Sequence, residues 1–407
     1  MRIVFKHLQI CDSRERLIVG CADVLLKGYA MASRRLSVRR TGSDTRRILL
    51  LRLERIGDLL MTLGAIDAVR ARAPGATIHL VVGSWNASLA RLLPGIDSCE
   101  TIDVPWLTRQ DAGASAGALV RRARAWRAQR FDLALNFEPD IRSNLLLALS
   151  GAPRRVGFSS GGGGGFLTDA LVYAPNAHTA TNALRLVDAA LPAAAGTTEP
   201  KDRHPRLPVP DEARREASRL LGDAGRLLVG LHASGGRQIK QWHLDRFAQV
   251  ATRLARDFPA TVVLTGTSED RPLVDCIAAL LPEDVRVLNV AGSMELPVFA
   301  GVLEQLSLFV TCDTGPMHLA AALGTPVVAL FGPSDPGRYG PLTDRARVVT
   351  ADLWCRPCNR VRRPPARCVG HVPDCLNDID VEAVCRAADE LLRDGPPKAQ
   401  RRVMGLA

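Results

Sequence analysis

The chain has 407 residues, of which 47% are hydrophobic, and this length is ample for two domains of ordinary size. Its formal net charge of +11 at pH 7 favours an anionic partner, such as nucleic acid, an acidic membrane surface or a phosphorylated substrate. The apolar content excludes a disordered chain, because that much apolar surface can fill packed cores.

Residues 1–46 form a basic leader ahead of the first predicted strand. Residues 1–47 contain eleven Lys or Arg against four Asp or Glu, so most of the excess charge lies here. Two structures fit the leader: an interfacial amphipathic helix, or a solvated, partly disordered basic tail. The helix is favoured by apolar residues that recur at near-helical spacing, namely Leu17, Ile18, Cys21, Val24, Leu25 and Tyr29.

The leader is too charged for a membrane span, since Asp23 and Lys27 interrupt its apolar run. The leader lacks a small-residue cleavage site, so it is not a convincing signal peptide. The sequence therefore predicts a cytoplasmic protein, with the leader positioned to lie at the inner face of the cytoplasmic membrane.

From residue 47 the pattern changes to alternating strands and helices, which defines a first domain over residues 47–200. Its predicted strands are residues 46–53, 77–82, 131–137 and 155–158, and its predicted helices are 58–73, 86–93 and 140–150. Five consecutive glycines follow at residues 161–165. This run is either a mobile loop over a cleft or a surface connector.

Residues 192–210 are rich in Ala, Pro, Gly and Thr, and we expect the linker between domains there. A second alternating pattern covers residues 211–395. Its predicted strands are residues 227–232, 261–265, 285–290 and 308–311, and its predicted helices are 244–258, 269–281, 297–306 and 381–392. The sequence thus predicts an α/β protein with two doubly wound domains and a cleft between their sheet edges.

The stretch over residues 308–332 reads as a strand, a tight turn, a short helix and a second strand. Asp313, Thr314 and Gly315 occupy the turn, and Pro316 suits the first position of a helix. Backbone N–H groups at such a helix start attract anions, so a phosphate-bearing ligand is the first hypothesis. The alternative is that Asp313 or Thr314 only caps the helix.

Three common enzyme signatures are absent from the sequence. It contains no G-x-G-x-x-G, no Walker loop and no H-E-x-x-H, which leaves dinucleotide binding, P-loop hydrolysis and zinc proteolysis without support. Four cysteines with the spacing C-x2-C-x9-C-x6-C suggest a structural zinc or redox-sensitive cluster: Cys355, Cys358, Cys368 and Cys375. The alternative is that these cysteines are unconnected.

Several separate motifs make the chain similar to glycosyltransferase family 9, the ADP-heptose:lipopolysaccharide heptosyltransferase family. They are LRLERIGDLLMTLGAI (51–66), DIRSNLLLALSGAPRRVGF (140–158), LHASGGRQIKQW (231–242), TGTSEDR (265–271) and CDTGPMHLAAALGTPVVALFGPSDPGRYGP (312–341). The resemblance spans roughly residues 47–395 and implies a GT-B fold of two Rossmann-like domains facing a central cleft. It makes residues 47–200 the acceptor-binding domain and residues 211–395 the donor-binding domain.

The resemblance also assigns roles to single residues. Asp58 matches the family's catalytic base, and Lys240 matches its phosphate-binding lysine; from position alone, a helix cap and a solvated lysine are the alternatives. The residues expected to bind the donor are Gly57, Ser234, Lys240, Glu269, Asp313, Thr314, Gly315 and His318. We expect Arg52 and Arg142 to meet an anionic acceptor.

The function that the resemblance implies is inverting transfer of a heptose or related sugar from a nucleotide diphosphate sugar, with ADP-heptose favoured. The acceptor would be a lipopolysaccharide core or another anionic surface glycan at the inner face of the membrane. No cofactor or metal is expected in the chemistry. The alternatives are an epimerase or hydrolase of the nucleotide sugar and a non-catalytic nucleotide-sugar-binding protein. Nucleic acid is not an expected partner, because no reading helix or aromatic stacking motif is recognisable.

Overall fold

The protein is described by a computed structural model that covers residues 5–10, 12–33, 45–108, 113–193 and 206–395. The chain divides into two compact units, Met1–Pro205 and Arg206–Ala407. Each unit contains one six-stranded sheet in which every described strand pair is parallel. Most of the predicted linker and residues 34–44 of the leader lie outside the described residues.

The sheet of the first unit has its most apolar strands at its centre. Its strands are β1 (Arg47–Arg52), β2 (Thr77–Val82), β3 (Ser98–Thr101), β4 (Leu133–Asn136), β5 (Arg154–Phe158) and β6 (Asp169–Leu171). The order across the sheet is β3–β2–β1–β4–β5–β6. Its helices are α1 (Ser13–Ser33), α2 (Ile56–Leu60), α3 (Leu63–Arg72), α4 (Ala87–Ala90), α5 (Ala116–Ala125), α6 (Ile141–Leu149) and α7 (Thr179–Ala190).

The single helix predicted over residues 58–73 is wrong, because the structure contains two helices there. The first begins at Ile56, two residues earlier than predicted, and the second begins after Thr62. The Thr62 hydroxyl donates to the Asp58 carbonyl oxygen at 2.8 Å, and the Thr62 amide donates to the Leu59 carbonyl. The i→i+3 bond tightens the chain at this point, so α2 ends and α3 starts anew.

The glycine run at residues 161–165 is neither a mobile loop nor a plain connector, because helix α1 packs directly on it. A Cβ on Gly162 would lie 2.4 Å from Val19 Cγ1, and one on Gly165 would lie 2.9 Å from the Leu26 carbonyl oxygen. The Gly163 amide donates to Asp23 Oδ1 at 2.9 Å. The glycines are therefore needed for close approach of the helix backbone, and the leader is helical over α1.

The second unit repeats the architecture of the first. Its strands are β7 (Leu228–His232), β8 (Thr261–Leu264), β9 (Val287–Asn289), β10 (Leu308–Cys312), β11 (Val327–Leu330) and β12 (Ala346–Val349), in the order β12–β11–β10–β7–β8–β9. Its helices are α8 (Asp211–Leu221), α9 (Leu244–Asp257), α10 (Arg271–Ala279), α11 (Leu296–Gln305), α12 (Gly315–Leu323), α13 (Pro336–Tyr339), α14 (Asp374–Asn377) and α15 (Val381–Arg393).

Each sheet has one point at which the strand order reverses. It lies between β1 and β4 in the first unit and between β7 and β10 in the second. Open α/β sheets bind ligands beyond the carboxyl ends of the strands at such a point. The loops after these four strands are therefore where the candidate residues should be sought. Among the described helices, none combines the length and the apolar content needed to span a bilayer.

Candidate active site

Asp58 lies in the first turn of α2, just beyond the carboxyl end of β1. Arg55 is the N-cap of this helix, and its amide donates to Asp58 Oδ2 at 3.3 Å. The carboxylate therefore partly caps its own helix, as position alone suggested. The side chain remains 26% exposed, and Gly57 precedes it inside the helix without a side chain that could cover it. Asp58 can therefore reach a bound hydroxyl while its orientation stays fixed.

Arg52 is not available to an acceptor, so its predicted role is wrong. It is only 2% exposed, and its guanidinium donates to the Phe137 carbonyl oxygen at 3.1 Å and to the Asp58 carbonyl oxygen at 3.2 Å. The same group pairs with Glu54 at 3.1 Å and with Asp58 Oδ1 at 3.5 Å. Burial alone would lower the pKa of Arg52, but these carboxylates raise it on balance. Arg52 is thus the buried cation that orients Asp58.

Glu138 is a site residue that the sequence did not reveal. It follows β4, is buried, and accepts hydrogen bonds from the amides of Leu53 and Glu54, the second at 2.9 Å. Burial and the nearby charge of Glu54 raise the pKa of Glu138 to about 8. Glu138 therefore joins the loop after β4 to the loop after β1 and supports the turn that carries Asp58.

Two arginine–tryptophan stacks join segments that follow different strands: Arg142 in the first turn of α6 stacks on Trp106 after β3, and Arg55 at the start of α2 stacks on Trp85 after β2. The Arg142 guanidinium lies 4.6 Å from the ring centroid of Trp106 and is held by Asp140, with Arg142 Nε 2.9 Å from Asp140 Oδ1. Arg55 lies 4.8 Å over Trp85 and also donates to the Leu107 carbonyl, the residue after Trp106. Arg142 is partly exposed, so its predicted contact with an anionic acceptor stays a prediction.

The second unit brings Lys240 and Asp313 together at the reversal point of its sheet. Lys240 ends a short 3-10 turn in the loop after β7, and Asp313 follows β10 directly. Lys240 Nζ lies 2.6 Å from Asp313 Oδ2 and donates to the Asp313 carbonyl oxygen at 3.2 Å. A Cβ on Gly235 would lie 2.7 Å from the Lys240 backbone, so this loop requires glycine where it folds on itself.

Thr314, and not Asp313, caps the helix that follows. Thr314 is the N-cap of α12, and its hydroxyl oxygen accepts from the Met317 amide at 3.4 Å. Gly315 is the first residue of the helix, and His318 is buried in its first turn. The backbone N–H groups at the start of α12 therefore lie at the same edge of the sheet as the Lys240 ammonium. Together they suit the negative charge of a diphosphate.

Ser234 and Glu269 belong to the same edge but differ in exposure. The Ser234 side chain is buried and hydrogen-bonded to Asp270, whereas Glu269 is exposed in the turn before α10. Burial would raise the pKa of Asp270, but hydrogen bonds from Thr267 and Ser234 lower it on balance. Glu269 is therefore the solvent-exposed carboxylate of this turn. Its contact with a ribose or sugar hydroxyl stays a prediction.

The four cysteines of the zinc hypothesis share one neighbourhood, and the zinc site itself stays a prediction. Cys375 is buried, and burial together with the charges of Cys358, Cys368 and Cys355 raises the pKa of its thiol to about 11. In the described part of the chain, no group of three or more His, Cys, Asp or Glu side chains is arranged to hold a metal ion.

Known proteins place these two units in a family. The model of glycosyltransferase family 9 (heptosyltransferase) matches residues 119–366. The chain is similar to lipopolysaccharide heptosyltransferase 2 of Salmonella typhimurium, with 28% identity over 306 residues that cover 72% of this chain and 85% of that protein.

Two solved structures share the fold. The E. coli ADP-heptose LPS heptosyltransferase II has a TM-score of 0.69 at 22% identity, and the match covers 86% of this chain and 99% of that one. The glycosyltransferase family 9 structure from Veillonella parvula has a TM-score of 0.72 at 23% identity, covering 86% and 98%. The predicted α/β fold of GT-B type, with two Rossmann-like domains, is confirmed.

Proposed function

Since this chain belongs to glycosyltransferase family 9, we propose that it transfers a heptose from ADP-heptose to a lipopolysaccharide core acceptor, with inversion at the anomeric carbon. The relative from Salmonella typhimurium is named for heptosyl transfer to lipopolysaccharide, and a solved neighbour from E. coli is named for ADP-heptose. The observation that carries the proposal is the Lys240–Asp313 pair beside the start of α12, because it presents a fixed cation and N–H groups to a diphosphate.

The donor is held by the second unit. Lys240 is fixed by Asp313 through one carboxylate oxygen and one carbonyl oxygen, which leaves one ammonium proton to donate to a phosphate of the bound donor. The N-terminus of α12, with Thr314 and Gly315, binds a phosphate oxygen through backbone N–H groups. Glu269 accepts from a hydroxyl of the ribose or the sugar. The cation and the helix start supply the positive charge, so the proposed reaction is metal-independent.

The acceptor is activated in the first unit. The Asp58 carboxylate accepts the proton of the acceptor hydroxyl as its oxygen attacks the anomeric carbon. The bond from that carbon to the diphosphate oxygen breaks, and its electron pair leaves with ADP. Lys240 and the α12 N–H groups stabilise the growing negative charge on the diphosphate. Attack opposite the leaving group in one displacement inverts the configuration.

The proposed location is the inner face of the cytoplasmic membrane, where a nucleotide sugar and a lipid-linked acceptor are both accessible. The basic leader supports this location, since its excess positive charge matches anionic headgroups. A structural zinc at Cys355, Cys358, Cys368 and Cys375 is a separate proposal, supported by cysteine spacing and by the shared neighbourhood of the thiols.

The test is a transfer assay with ADP-heptose and lipopolysaccharide that lacks its terminal core heptose. We expect ADP release only when the acceptor is present, a mass gain of one heptose on the acceptor, and an anomeric configuration opposite to that of the donor. Free or rearranged sugar without acceptor would instead identify a hydrolase or an epimerase. Donor binding with no turnover, and a cellular role that survives Asp58→Asn, would identify a binding protein.

A further inference from the structure

Helix α1 carries an apolar stripe that faces away from the unit on which it packs. The exposed fractions are 50% for Leu17, 70% for Ile18, 56% for Val24 and 77% for Leu25. With Cys21, which is also exposed, these positions follow the i, i+1, i+4, i+7, i+8 spacing of one helix face. Such a continuous patch of large aliphatic side chains is unusual on a soluble surface and marks a binding face.

The opposite face of α1 is fixed to the first unit, so the stripe cannot turn inward. Asp23 is buried and accepts from the Gly163 amide at 2.9 Å. The absence of side chains at Gly162 and Gly165 lets the helix approach through Val19 and the Leu26 carbonyl. Replacement of either glycine would push the helix away, which means that the outward direction of the stripe is built into the packing.

Two of the three acidic residues near the stripe are directed elsewhere, and the third, Glu15, is exposed beside Arg14. Asp12 caps the helix by accepting from the amides of Arg14 and Glu15 at 2.9 Å each, and Asp23 is used in the buried contact. Arg14 lies on the stripe itself, at i−3 from Leu17, and is exposed. Further along the sequence come five more basic residues, Lys27, Arg34, Arg35, Arg39 and Arg40. The apolar stripe is therefore followed in the sequence by a polybasic segment.

We infer that this outward stripe of α1 is a membrane-binding surface that inserts its aliphatic side chains into the headgroup–acyl boundary of an anionic lipid layer. A short apolar face alone or a polybasic segment alone does not attach a protein stably to a membrane. The two together do. Charge complementarity favours lipid over a second copy of the chain, because two copies would bring like charges together. The inference deepens the proposed function by naming the surface that holds the enzyme near a lipid-linked acceptor.

The experiment measures binding of the full-length protein to vesicles. Vesicles of phosphatidylglycerol and phosphatidylcholine should sediment the native protein, and pure phosphatidylcholine vesicles should sediment less of it. The double variant Ile18→Glu, Leu25→Glu should bind the anionic vesicles about tenfold more weakly or worse, since two charges would enter the lipid boundary. Val172→Glu is the matched control, because Val172 is 65% exposed on the same unit but outside the stripe. It should bind like the native protein.

Equal sedimentation of the native protein and the double variant would overturn the inference, as would failure of the native protein to bind anionic vesicles. A concentration-dependent dimer that the double variant loses would also overturn it in favour of a second copy. A soluble, delipidated acceptor separates this question from the proposed function. On it the double variant should transfer sugar at the native rate, and loss of transfer by both proteins would count against the function alone.

Discussion

Lys240 Nζ lies 2.6 Å from Asp313 Oδ2, and this ion pair joins the loop after β7 to the loop after β10. The two residues are 73 positions apart in sequence, but their strands are neighbours in the sheet. In the first unit, Glu138 joins the loops after β1 and β4 in the corresponding way. In each sheet a buried acidic residue therefore bridges the reversal point, Glu138 in the first unit and Asp313 in the second. It holds the loop that carries Asp58 in the first unit and Lys240 in the second.

Replacing Lys240 by Met should weaken ADP binding roughly 10- to 100-fold, because a charge-assisted contact with phosphate is lost. Isothermal titration calorimetry with ADP measures this directly. Arg256→Met is the control, since Arg256 also forms an ion pair in the second unit, 3.0 Å from Asp284, but on an exposed surface. Unchanged ADP affinity in Lys240→Met would rule out the phosphate-binding role.

Asp58→Asn should lower the transfer rate by roughly 100- to 10,000-fold, because Asn cannot accept the proton of the acceptor hydroxyl. The Asn oxygen can still accept from the Arg55 amide, so the helix start should stay folded. ADP affinity should not change, since the donor contacts belong to the second unit. Asp67→Asn, a change on α3 nine residues further on, should keep native transfer. Native turnover in Asp58→Asn would exclude Asp58 as the base.

The sequence was sufficient to place Asp58, Lys240 and Asp313 in the segments that follow apolar strands, because local periodicity marks such junctions. It could not show that Lys240 meets Asp313, since pairing of β7 with β10 depends on strand order across the whole sheet. The sequence also could not show that the Arg52 side chain points into the protein. Parallel strands are apolar on both faces, so no alternation indicates which way a charged residue at the strand end will point.

Glu138 and the glycine run show the same limit of prediction from sequence. A lone carboxylate after a strand resembles any loop residue until the strand beside it supplies the amides of Leu53 and Glu54. From the sequence, five glycines suggest flexibility. In the structure α1 packs on them, and the helix fits there because they have no side chains. Both features depend on contacts between segments distant in sequence, which pattern alone does not contain.

The zinc proposal predicts about one zinc per chain in protein purified without chelator, because the four thiolates would complete a tetrahedral site once the metal draws them together. Inductively coupled plasma mass spectrometry measures the content. Cys358→Ser should lose the metal and lower the melting temperature, whereas Cys276→Ser, at an exposed cysteine on α10, should retain both. Metal-free native protein with an unchanged melting temperature in Cys358→Ser would reject the zinc site.

Glu138→Gln tests whether the buried carboxyl acts in its neutral form. Because its pKa is raised to about 8, the folded protein holds a proton there that the unfolded chain releases above its ordinary pKa near 4.5. Its stabilising contribution is therefore complete below that ordinary value and is lost as pH rises through about 8. Gln cannot ionise, so the stability advantage of the native protein over Glu138→Gln should shrink with rising pH across this window.

Glu100 is the control of opposite sign. Burial would raise the pKa of Glu100, but hydrogen bonds from His79, Arg122 and Trp126 lower it to about 2, so its contribution is present at neutral pH and lost in acid. Urea unfolding of Glu138→Gln, Glu100→Gln and native protein between pH 5 and pH 9 should thus give a stability difference that shrinks with rising pH for Glu138→Gln and one that stays constant for Glu100→Gln, because Glu100 is ionised in both the folded and the unfolded chain throughout this range. At pH 7, Glu138→Gln should keep most of its transfer activity, because Gln resembles the protonated acid. Glu138→Leu should lose it together with roughly 1–3 kcal/mol of stability, since the Leu53 and Glu54 amides would stay buried without an acceptor. Equal activity in the Gln and Leu variants would show that Glu138 does not position Asp58.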